Sequence, residues 1–163
     1  MPDPEKVSRR RGRPPRVLEA GEPEGLFFLD TNILVYTFDA TAPRKRDRAK
    51  ALVQSALKTR MGRISTQVVQ EFLNVATRKL AVPLSPKDAE DYLRVVLTPL
   101  CRHSPDPEFY QRALVLGTSA SLSWYDSLIV QAGVDLGCAI LYSEDLQHGR
   151  VFGGLRVENP FRD

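Results

Sequence analysis

The sequence predicts an α/β fold: a sandwich in which helices flank a mainly parallel central sheet. Two observations carry this reading. Short, dense apolar runs (LFFL at 26–29, AILY at 139–142) alternate with longer segments whose apolar residues recur at helical spacing. Capping and breaking residues (Ser85-Pro86, Pro83, Pro99, Gly137) stand where those segments should begin or end. Strands separated by helices give parallel neighbours, because each helix carries the chain back across the sheet.

Taken in order, a first strand is expected at 26–30. Residues 43–59 form the first clear helix, with Ala49, Leu52, Val53, Ala56 and Leu57 on one face. A second helix is expected over about 66–80, capped by Ser65 or Thr66 and stopped before Pro83. A third spans about 86–98, opened by Ser85-Pro86 and closed before Pro99. Residues 100–103 suit a short strand. Helices follow at 106–120 and 124–136, the latter ending at Gly137. Residues 139–142 read as a buried strand and 155–157 as a last short one. No internal repeat is present.

A chain of 163 residues is long enough for one domain with a single core. No apolar run approaches the roughly 18 residues that cross a bilayer, so no membrane association is expected. The N-terminus is charged and lacks the apolar stretch of a secretory signal, which points to the cytoplasm. Cys101 and Cys138 are far apart, as are His103 and His148. That spacing suits reduced, packed thiols rather than a zinc site.

Charge is unevenly placed. Residues 1–16 hold six basic and two acidic side chains, leaving 17 basic and 18 acidic groups in the rest of the chain. Residues 1–25 have almost no large apolar side chains, so they are expected to be a disordered basic tail ahead of a folded body at 26–163.

Four carboxylates stand out by their surroundings. Asp30 ends an apolar run and has no Lys or Arg within ten residues on either side. Glu71 lies inside VVQEFL, Asp126 inside SWYDSLIV, and Asp145 follows the strand at 139–142. Each has a purely structural reading. Asp30 can cap the next helical turn, and Glu71 can sit on a solvated helix flank. Asp126 fits a capping box with Ser123, and Asp145 can cap the turn at 146–149. Together they suggest more, because ligands in such sheets bind beyond the carboxyl ends of the strands. Converging carboxylates repel, and a cation relieves that repulsion. Oxygen-only donors favour Mg²⁺ or Mn²⁺.

The segments LDTNILVY, TQVVQEFLNV, SWYDSLIVQAG and LYSEDLQHG, with a closing NPF, resemble the PIN-domain nucleases, most closely the VapC-type toxins. The resemblance covers residues 26–161. It implies a PIN-like α/β/α sandwich and an endoribonuclease dependent on Mg²⁺ or Mn²⁺, the toxin of a type II toxin–antitoxin pair. It also implies a homodimer held inactive by a cognate antitoxin. Matched position by position, Asp30, Glu71, Asp126 and Asp145 are the catalytic acids, with Asp30, Asp126 and Asp145 as metal ligands. Thr31 and Asn32 resemble the neighbours that orient Asp30, and Ser143 resembles the hydroxyl that accompanies the fourth acid. Glu144 is expected to turn away from the pocket by strand alternation.

Two other enzyme classes fit less well. A haloacid-type phosphatase needs Asp-x-Asp after its first strand, and a receiver domain needs an acidic pair on it. A non-catalytic PIN-like RNA-binding or regulatory module is the alternative that keeps the fold, and the full acidic set argues against it. In the tail, Arg-Gly-Arg-Pro at 11–14 resembles the core of an AT-hook, a minor-groove element. The plainer reading is a solvated basic arm making weak contacts with DNA or RNA backbones.

Overall fold

A computed structural model describes residues 24–162. The tail expected at 1–25 therefore lies, but for its last two residues, outside the described residues. The body is a six-stranded sheet with strand order β3-β2-β1-β4-β6-β5. Its strands are β1 (Phe27–Leu29), β2 (Gly62–Ser65), β3 (Cys101–His103), β4 (Ile140–Tyr142), β5 (Val151–Phe152) and β6 (Leu155–Glu158). All neighbours run parallel except β5, which pairs antiparallel with β6. The helices are α1 (Thr31–Tyr36), α2 (Pro43–Thr59), α3 (Thr66–Arg78), α4 (Pro86–Tyr92), α5 (Thr98–Leu100), α6 (Pro107–Ala120) and α7 (Trp124–Asp135). Among the described residues, no single helix is long and apolar enough to cross a membrane.

The strand order explains where a site can form. From β1 the chain steps outward to β2 and β3, then returns past β1 to β4 on the other side. The direction of winding reverses between β1 and β4, so a crevice opens beyond their carboxyl ends. By the right-handed rule for crossovers between parallel strands, the helices of the two halves belong on opposite faces of the sheet. Every residue of β1 is buried, as expected for a central strand covered on both faces.

The expected helices at 43–59, 66–80, 106–120 and 124–136 are present, differing by at most two residues at an end. The helix expected to stop before Pro99 instead continues through a π-helical turn (Leu93–Leu97) into α5. Pro99 has no N–H, and its ring crowds the carbonyl four residues back. The wider preceding turn relieves that crowding.

Three elements go beyond the sequence reading: α1, β2 and β5. Helix α1 has a β-branched and aromatic composition, weak for a helix. It is stabilised by its Asp30 cap and by burial of Ile33 and Leu34. Strand β2 opens on glycine for a steric reason: a Cβ on Gly62 would lie 2.2 Å from Ala56 Cβ of α2. The closeness of α2 to the sheet thus depends on this glycine.

Candidate functional site

The carboxyl ends of β1 and β4 are locked in register, with Leu29 opposite Tyr142 and the Asp30 N–H donating to the Tyr142 carbonyl at 3.0 Å. This register brings Asp30 and Ser143 side by side. The Ser143 hydroxyl, fully buried, donates to Asp30 Oδ2 at 2.7 Å. Its oxygen in turn accepts from the backbone N–H groups of Asp145 and Leu146 at 3.2 and 3.3 Å. The 146–149 turn is therefore held by Ser143, and Asp145 is not its cap.

Asp30 does cap α1, its Oδ1 accepting from the Thr31 N–H at 2.7 Å. The capping reading and the site reading are both satisfied by one residue. Asn32, in the first turn of α1, sends its Nδ2 to Asp30 Oδ2 at 3.3 Å and to Asp145 Oδ2 at 3.1 Å. Thr31 donates to Glu71 Oε2 at 2.6 Å, and Gln67 donates to Glu71 Oε1 at 2.8 Å. Glu71 is thus fixed from two sides rather than solvated on a free flank. Asp126 makes half of the expected capping box: its N–H reaches Ser123 Oγ at 3.2 Å, but its carboxylate accepts from the Ser123 hydroxyl at 2.7 Å instead of from the Ser123 N–H.

One open cavity of about 590 Å³ is lined by all four acids, Asp30, Glu71, Asp126 and Asp145. None of them takes part in an ion pair among the described residues. Burial pushes the Asp30 carboxyl up to about 6; hydrogen bonds from Ser143 and Thr31 oppose the shift, and the charges of Asp145 and Glu71 add to it. The Asn32 Oδ1 is buried without a hydrogen-bond partner.

Glu144 departs from expectation. It also lines the cavity, but it is occupied there by Lys45 and by the Tyr36 hydroxyl. Burial raises its carboxyl, and the bonds from Lys45 and Tyr36 outweigh that and leave it below the usual range. Strand β4 ends at Tyr142, so strict alternation does not extend through 143–145. Lys45 lies 4.8 Å from the centre of the Tyr36 ring and 5.6 Å from that of Phe161, within cation–π range.

Among the lining residues that the sequence reading missed are the polar Gln67, Asn74 and Lys79. Gln67, Glu71 and Asn74 fall at i, i+4 and i+7 on α3, away from the buried Val68, Phe72 and Ala76. That polar stripe was the available signal.

The donor set suits a hard divalent ion: carboxylate oxygens without cationic partners among the described residues, mutual repulsion at Asp30, and an orphaned amide oxygen beside them. Among the described residues, no three His, Cys, Asp or Glu side chains form a ready-made metal cage. Mg²⁺ does not require one, since it commonly binds through one or two carboxylates and keeps several waters.

A family model described as PIN domain matches residues 27–152. The chain belongs to the PIN domain family. The expected PIN-like α/β/α sandwich with a mainly parallel sheet is therefore borne out. Among solved structures, a toxin–antitoxin complex from Klebsiella pneumoniae is similar with a TM-score of 0.60 and 20% identity, over 83% of this chain and 98% of that one. VapBC2 from Rickettsia felis, bound to a DNA fragment from its promoter, gives 0.57 and 17%, over 82% and 97%. Mycobacterium tuberculosis VapC20, described as a Sarcin-Ricin loop cleaving toxin, gives 0.54 and 20%, over 73% and 89%. No curated protein sequence matches the chain.

Proposed function

We propose that this chain is a metal-dependent endoribonuclease, the toxin of a type II toxin–antitoxin pair, that hydrolyses RNA phosphodiester bonds. The observation that carries the reading is the presence of four carboxylates, without cationic partners among the described residues, around one open cavity at the switch point of the sheet. Family membership supports it, as does the structural similarity to toxin–antitoxin proteins.

Asp30, Asp126 and Asp145 would hold Mg²⁺ or Mn²⁺. Such an ion supplies Lewis acidity at a phosphoryl oxygen when bound. The chain's own residues do the rest. Asn32 keeps Asp30 and Asp145 at a fixed separation, and Ser143 orients the Asp30 carboxylate. Glu71, held by Thr31 and Gln67, takes a proton from the attacking water on a carboxylate oxygen. Lys79, lining the same cavity, offers a positive charge to an RNA phosphate. A homodimer and a cognate antitoxin belong to the same reading, and the exposed Leu114 and Val115 of α6 provide apolar area for protein contacts.

The test is cleavage of structured and single-stranded RNA by the full chain with Mg²⁺ or Mn²⁺. Cleavage should stop on chelation and return when the ion is restored. Pure, folded protein that binds RNA without cutting it under any of these conditions makes a non-catalytic RNA-binding module the better reading.

A further inference from the structure

Beside the acidic cavity lies a second recess of about 230 Å³, and the two share Gln67 and Tyr125 in their walls. Its character is different. None of the residues lining it is Asp, Glu, Lys or Arg. Its apolar side is built from Phe109, Tyr110, Trp124 and Tyr125. Tyr110, Trp124 and Tyr125 are 42%, 39% and 65% exposed, an unusual investment of aromatic surface in solvent. The Tyr110 and Trp124 rings lie 6.1 Å apart and are tilted by 31°, a contact that leaves both more than a third exposed at the recess. His103, packed on Phe109 at 4.4 Å, belongs to the same wall. Gln70, exposed at the recess, brings an amide that can both donate and accept.

We propose that this recess takes an unstacked nucleobase of the RNA strand, the base next to the phosphodiester held at the acids. The inference rests on the ribonuclease reading and narrows it to single-stranded or splayed-out RNA. An uncharged aromatic surface suits a base and not a phosphate, and bases stack on such rings regardless of identity. The shared wall at Gln67 and Tyr125 means that a strand lying across the acids has its neighbouring base directly over the recess. The Gln70 amide matches the donor and acceptor pattern of a base edge.

Trp124 is the sole tryptophan of the chain and a built-in reporter. With divalent ions chelated and at low salt, the full chain is titrated with an eight-nucleotide single-stranded RNA while Trp124 emission is followed. An abasic ribose-phosphate strand of equal length and an RNA duplex serve as comparisons. The single strand should quench emission, and the abasic strand and duplex should leave it essentially unchanged. Tyr110→Ala and Gln70→Ala, which keep the reporter, should each raise the quenching midpoint, about tenfold for the stacking residue. Far-UV circular dichroism checks that both variants fold. Equal quenching by the abasic strand overturns the proposal. So does emission that follows protein concentration and ignores RNA, which would show that a second copy covers the recess. Because the readout needs no cleavage, a chain that cuts RNA without base-dependent quenching loses this inference alone. A chain that quenches but never cuts loses only the catalytic reading.

Discussion

Asn32 joins two carboxylates that are far apart in sequence: its side-chain amide lies 3.3 Å from Asp30 and 3.1 Å from Asp145. A single neutral donor thereby holds two like charges at the mouth of the same crevice. The arrangement is useful only if those charges have a further purpose, because isolated carboxylates at this position oppose folding.

That opposition has a definite pH signature. The Asp30 carboxyl rises from 3.8 to about 6 on folding, so between those values the native state binds the proton more tightly than the unfolded chain. Stability of the metal-free protein therefore falls as pH rises through that window, and the loss is complete above it. Asp30→Asn removes the charge and keeps a capping oxygen. Its melting temperature without metal should exceed the wild type's at pH 7.5, and the difference should shrink towards zero near pH 4. RNA cleavage should be abolished at every pH. A lower melting temperature at pH 7.5 would mean that capping outweighs the cost of burying the charge.

Glu144 and Asp145 are adjacent yet should behave differently. Asp145→Ala should weaken Mn²⁺ binding in calorimetry and slow single-turnover cleavage by about tenfold or more. Glu144→Ala strips Lys45 and Tyr36 of their partner at a partly exposed pair, where solvent screening leaves the contact little weight. Its melting temperature should fall by a few degrees at most, with Mn²⁺ affinity close to wild type. If Glu144→Ala is the variant that loses the ion, the two acids have exchanged roles.

Gly62→Ala should be among the more damaging single substitutions outside the cavity. The added methyl meets Ala56 Cβ at 2.2 Å and Ala56 Cα at 2.8 Å, so α2 must move away from β2. Overpacking of this kind costs about 1–3 kcal/mol. Ala56→Gly in the same chain should recover part of the loss, since the added methyl then meets backbone alone at that position. Urea denaturation of the single and double variants measures both effects, and no recovery would place the strain elsewhere.

Removing residues 1–20 should leave the melting temperature and metal-dependent cleavage unchanged. Nucleic-acid affinity should drop, and its dependence on salt should become shallower, by roughly one unit of slope for each phosphate contact removed. Filter binding at several salt concentrations decides this. A selective loss of A·T-rich duplex binding would favour the hook reading of Arg-Gly-Arg-Pro over the plain basic arm.

The longer helices were legible in the sequence because packing and periodicity agree there. In α3, Val68, Phe72 and Ala76 repeat at helical spacing behind the Ser65 cap. Helix α1 was not legible, since six residues rich in Ile, Val and Tyr favour a strand when taken alone. Its helical form comes from tertiary burial and from Asp30. Strand β2 was hidden by its opening glycine, whose reason, Ala56 only six positions earlier, appears only once α2 is packed back against the sheet. For the site, the four acids were visible as charges in apolar surroundings. Gln67 was signalled only by its place on the polar stripe of α3, and Lys79 not at all, because a lysine at a helix end is ordinary until the opposite wall is known. Glu144 was misplaced because alternation was carried past the end of β4.

The Ser143–Asp30 bond spans 113 positions, and its two strands become neighbours only through the β1–β4 pairing. Synthesis runs from the N-terminus, so Asp30, Thr31 and Glu71 emerge from the ribosome well before Ser143 and Asp145 exist. Until β4 is made, Asp30 lacks the hydroxyl that orients it, and Asn32 has one carboxylate to hold instead of two. A nascent chain, or one truncated ahead of residue 140, therefore lacks both Ser143 and the fourth acid, Asp145. The site of the enzyme proposed here is completed only when nearly its whole length has been translated.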